Sequence, residues 1–79
     1  MLLSNYTDYN WHNAYIQFIN SNNQNKKKKN IGTLEKYSSV WVDIEADYFY
    51  ITFTDENGND HQTEKYLSNG TVQVKTVIN

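Results

Sequence analysis

The stretch "DYNWHNAYIQFINSN", residues 8–22, decides the fold. Trp11, Ala14, Tyr15, Phe18 and Ile19 recur at the i, i+3, i+4, i+7, i+8 spacing of one helical face. Thr7 or Asp8 stands where an N-cap belongs, and an acid there suits the positive end of the helix dipole. Ser21, Asn22 and Asn23 are weak helix formers and make an exit. The spacing therefore predicts a helix over residues 8–22, with Phe18 turned towards whatever it packs on.

Beyond a lysine-rich segment, taken as a loop over residues 23–30, the period changes from near four to two. Val40, Val42 and Ile44 alternate with Trp41, Asp43 and Glu45. In "YFYITFT", Phe49, Ile51 and Phe53 alternate with Tyr48, Tyr50 and Thr52, the pattern of a half-buried strand. "DENGND" then brings Asn57-Gly58, a preferred hairpin centre, and "SNG" supplies a second Asn-Gly turn. Between them "DHQTEKYL" reads as a polar strand, and "TVQVKTVI" closes the pattern with Val72, Val74, Thr76 and Ile78. "IGTLEKY" adds a possible fifth short strand. The join at Glu45-Ala46-Asp47 lacks glycine, so it is either a tight turn with Asp47 left-handed or a bulge. The expected fold is α+β: one N-terminal helix on a four- to five-stranded antiparallel meander over residues 31–78, all in one small domain.

The chain has 79 residues, which leaves room for a single core of modest stability. Cysteine is absent, which excludes disulfides, thiolate metal sites and cysteine nucleophiles. No apolar run approaches the ~18 residues of a membrane span, and "MLLSNYTDYN" is too polar for a signal-peptide core. A cytoplasmic protein is the expectation. All seven basic residues are lysine, and proline is missing too. With abundant Asn, Ile and Tyr this implies AT-rich coding, as in a low-GC bacterium or its mobile elements.

Net charge is −2, yet the charges are segregated. Asp43 to Glu64 holds seven acids and no lysine, whereas Lys26, Lys27, Lys28 and Lys29 are consecutive. Four lysines suffice for weak, salt-sensitive phosphate contact, or serve only as a solvated loop. Nucleic-acid domains commonly carry a broader basic face with arginine, so nucleic acid is not the expected partner. The acids are more informative. Asp43, Glu45 and Asp47 accompany Trp41, Tyr48 and Tyr50 on the polar side of the alternation, and rigid aromatics with an acidic rim suit a protein partner with a basic surface. The alternative is that these aromatics pair across strands and stiffen the sheet.

No catalytic, metal or cofactor motif emerges. Asp55, Asn57 and Asn59 imitate a calcium loop, but its sixth position is Asp60 and its twelfth Tyr66, so a hairpin turn accounts for them. His61 beside Asp60 and near Glu64 is isolated in a polar strand, and no phosphate-cradling glycine loop exists. In size and composition the chain is similar to the short phage-encoded proteins that block bacterial defence, including anti-CRISPR proteins. The likeness is one of class and rests on no motif. It implies a non-enzymatic inhibitor of a host nucleic-acid-handling or defence protein. The alternatives are a nucleic-acid-binding accessory protein using Lys26–Lys29, and a structural subunit or homo-oligomer assembling through sheet edges such as "TVQVKTVIN".

Overall fold

A computed structural model describes residues 1–19 and 27–78. It overturns the α+β expectation: the described residues contain no helix, and eight strands form two sheets around one core. The strands are β1 (Leu2–Asn5), β2 (Trp11–Ile19), β3 (Lys27–Leu34), β4 (Ser39–Trp41), β5 (Tyr48–Thr54), β6 (Asp60–Gln62), β7 (Tyr66–Leu67) and β8 (Thr71–Val74). One sheet runs β4-β1-β8; the other runs β3-β2-β5-β6, with β7 also on β5. The antiparallel meander is corrected as well, because β1 and β8 pair in parallel.

Of the segment expected to be helical, Trp11–Ile19 is the strand β2 and residues 20–22 lie outside the described residues; a bulge explains the misleading spacing. The β2–β5 register slips by one residue between His12↔Thr54 and Tyr15↔Thr52. Asn13 sits there at φ 47, left-handed, a conformation asparagine tolerates better than most residues. Without the bulge, Trp11 and Ala14 would point to opposite faces. With the extra residue both are fully buried, and Ile16 continues the inward series at the true period of two. The i, i+3 step is thus a β-bulge. Ile16, outside the imagined helical face, is wholly buried, whereas Phe18 is only partly so.

The lysine loop is corrected in the same way, because Lys27, Lys28 and Lys29 open β3, an edge strand. Lys26 lies outside the described residues, as do the residues of the expected loop before it. Lys27 and Lys29 oppose Phe18 and Ile16, the core-facing row of β2, and Lys28 opposes Gln17 on the outward row. All three lysines are exposed, and charges along an open edge strand discourage further strand pairing.

The alternation in "YFYITFT" fares as expected: Phe49, Ile51 and Phe53 are buried. The "DHQTEKYL" strand instead breaks into β6 and β7. The register changes by one residue between Thr52↔Gln62 and Phe49↔Tyr66, so residues 63–65 bulge. Buried Thr63 fills the gap. Its Oγ1 accepts the Ile51 N–H at 2.9 Å and donates to the Glu64 carbonyl at 2.9 Å. The second Asn-Gly turn does not close a hairpin; past Gly70, at φ 62, the chain leaves for the other sheet and pairs with β1.

The inward sides are Leu3, Val72 and Val74 from one sheet, and Ala14, Ile16, Phe49, Ile51 and Phe53 from the other. Trp11 stacks on Phe53 at 5.1 Å and donates its indole N–H to Thr7 Oγ1 at 3.1 Å. Thr7 Oγ1 in turn donates to Asn5 Oδ1, while Asn5 Nδ2 donates to the Leu34 and Tyr9 carbonyls. This buried polar hub joins β1 to β2 and β3 with its groups paired, as burial requires.

Candidate functional site

The interface residues expected from the sequence are split between two sheets. Trp41 ends β4, opposite Leu2, while Tyr48 and Tyr50 lie on β5, opposite Ile19 and Gln17. Between them residues 42–46 are neither helix nor strand, yet their burial still alternates: Val42 is buried and Ile44 partly so, while Asp43 and Glu45 are exposed. Among the described residues the non-glycine left-handed positions are Asn13 and Tyr37, so of the two forms expected of the Glu45–Asp47 join, the turn with Asp47 left-handed is not the one adopted.

Residues 39–45 therefore form an extended ribbon with Trp41, Asp43 and Glu45 outward. Val42 exchanges backbone bonds with Met1 at 2.8 and 3.0 Å, which anchors the ribbon to β1. Trp41 is 76% exposed, an unusual state for the largest apolar side chain. The described ion pair is Asp55–His61, at 2.8 Å, so no described lysine neutralises the Asp43 or Glu45 carboxylate. Lys29 Nζ does approach Asp43, but it donates to the main-chain carbonyl at 3.4 Å.

Where the ribbon returns to β5, Asp47 and Tyr48 line a shallow depression of about 410 Å³ with Ala46, Leu67, Ser68 and Asn69. The Ser68 hydroxyl donates to the Ala46 carbonyl and the Ser68 N–H to that of Asp47. Tyr48 is 42% exposed and Leu67 62%. Sequence reading missed Leu67. In-register pairing sets it beside Tyr48, and no local pattern in the sequence indicates that.

Tyr50 stands apart, half-buried on the outward face of β5. Its neighbours there include Gln17, Tyr15 and Lys28, whose Nζ lies 4.8 Å from the Tyr15 ring centroid. That geometry stabilises a lysine over a ring.

His61, read from sequence as an isolated polar residue, is built into the structure. Its ring stacks on Tyr9 at 4.4 Å and Phe53 at 5.2 Å, and Nε2 lies 2.8 Å from Asp55 Oδ2. Asp55 Oδ1 accepts the N–H groups of Asn57 and Asn59, so the calcium-like residues make the expected hairpin turn, with Gly58 left-handed at φ 84. The His61 hydrogen bond, then that of Asn59, lowers the Asp55 pKa from 3.8 to about 2, against the opposing effect of burial. The pair fastens a hairpin to Tyr9. Among the described residues no cluster of three or more metal-ligating side chains occurs, and no helix is long and apolar enough to cross a membrane. Comparison with protein-family models, curated proteins and solved structures finds no match in any of the three.

Proposed function

We propose that this protein acts by binding another protein, as a non-enzymatic inhibitor that occupies the basic surface of a nucleic-acid-handling or defence protein of its host. The supporting observation is the Ser39–Glu45 ribbon, which holds Trp41 in solvent and carries two carboxylates without a described lysine partner. A stably exposed tryptophan flanked by acids suits a contact whose aromatic anchor supplies most of the energy and whose charged rim steers a basic partner. Tyr48 and Leu67, beside the depression at the ribbon's end, extend the apolar contact.

The test is affinity capture from the host with the wild-type chain and with Trp41→Ala. The captured protein is then assayed for nucleic-acid binding with and without this chain. The proposal expects capture that depends on Trp41 and competes with nucleic acid. Capture that survives Trp41→Ala, or that leaves nucleic-acid binding untouched, refutes it.

A further inference from the structure

The ribbon's backbone deepens this reading, and the inference rests on it. β4 is the outer strand of its sheet. Along it the residues that bond to β1 alternate with residues that do not. Val42 exchanges both backbone bonds with Met1, and the Asn5 N–H donates to the Ser38 carbonyl. In an antiparallel ladder such reciprocal pairs recur every second residue, which makes Val40↔Leu3 the pair between them. Ser39 and Trp41 therefore direct their N–H and C=O groups away from β1, towards the free edge. Both residues are exposed, and among the described residues neither backbone is bonded on that side. The next residue of that parity, Asp43, already gives its carbonyl to Lys29. The opening is two residues long, then closes.

The edge strand β3 of the second sheet is defended. β3 carries Lys27 and Lys29 on its core-facing row, and Asn30 Oδ1 takes the Gly32 N–H at 2.6 Å, where the glycine is left-handed. No comparable guard lies on β4. Its last residue is the exposed Trp41, followed at two-residue steps in the ribbon beyond the strand by Asp43 and Glu45, a setting that attracts rather than repels a basic segment.

We infer that the partner is engaged by strand addition: an extended segment of the target protein pairs with the free edge of β4 at Ser39 and Trp41, packs on the Trp41 ring, and carries Lys or Arg side chains that reach past the paired residues towards the Asp43 and Glu45 carboxylates. Main-chain bonds supply sequence-independent affinity in this mode, and side chains at alternate positions supply selectivity. Like charges would oppose a second copy of this chain only weakly, so self-pairing is an outcome to be measured.

The probe is a heptapeptide of alternating Arg and Val, titrated into the full chain. Trp41 emission is the signal, since Trp41 is exposed and Trp11 is wholly buried. The variants are Ser39→Pro, which deletes an outward N–H at a site an edge strand tolerates, and Ser39→Ala, which retains it. Binding with a blue shift, weakened roughly tenfold by Ser39→Pro but no more than about twofold by Ser39→Ala, supports the inference. Circular dichroism confirms that both variants fold. An Arg-Val peptide with N-methylated alternate residues should bind as poorly as the Ser39→Pro pair. Equal binding of both peptides, no binding of either, or sedimentation as a dimer that Ser39→Pro dissolves would each overturn strand addition by a basic segment. The proposed function has its own arm: the captured protein still bound by Ser39→Pro but lost with Trp41→Ala leaves protein binding standing without strand addition.

Discussion

Asn13 offers the sharpest test of the fold, because a bulged strand and a helix predict opposite signs there. The residue is exposed and left-handed at φ 47, so its replacement makes no cavity and the backbone dominates. The left-handed region costs an L-residue with a Cβ roughly 1–2 kcal/mol, less for asparagine and nothing steric for glycine. In the bulge, Asn13→Ala should therefore destabilise by about 1 kcal/mol, and Asn13→Gly should stay within about 0.5 kcal/mol of the parent. In a helix the order inverts, with alanine up to about 0.7 kcal/mol better than asparagine and glycine the worst of the three. For a domain of this size 1 kcal/mol moves the midpoint by roughly 4–8 °C. Thermal and urea denaturation of the three proteins decides between them. An alanine variant that melts above the glycine variant would refute the bulge.

Three further outcomes follow from particular contacts. Ile16→Ala should cost about 2–5 kcal/mol, and Phe18→Ala distinctly less, because Ile16 is fully enclosed and Phe18 is not; equal losses in urea titrations would contradict that difference in enclosure. Thr63→Val keeps the volume but strands the Ile51 N–H, so a loss of about 1–3 kcal/mol is expected, with slower-melting structure restored by Thr63→Ser. Asp55 has a folded pKa lowered to about 2 from 3.8, so its contribution is intact above about pH 4 and fades as pH falls towards 2. Stability measured over that window should decline in the parent and decline less in Asp55→Asn, and parallel curves would exclude Asp55 as the source.

How much of this was legible in the sequence depended on whether local order fixed the outcome. β5 was readable because Phe49, Ile51 and Phe53 alternate without interruption beside a turn of strong local preference at Asn57-Gly58. β2 was not, because a single left-handed Asn13 turned a period of two into a step of three, and that step matches a helical face. The β-branched and aromatic content of "WHNAYIQFI" favours a strand, a signal outweighed by the spacing. β1 was too short to stand out, and its parallel partner β8 lies at the far end of the chain, so only the folded structure reveals the pair. At the candidate site, the exposure of Trp41, Asp43 and Glu45 followed from alternation, but their separation from Tyr50 followed from a change of sheet that no local pattern marks.

The most direct measurement of the central claim is amide hydrogen exchange of this chain, free and bound to the protein it captures. New protection should concentrate at residues 39–45, with the Ser39 and Trp41 amides slowed most and the core strands unchanged. Protection confined to the outward face of β5 or to Lys27–Asn30, with residues 39–45 exchanging as in the free chain, would contradict it.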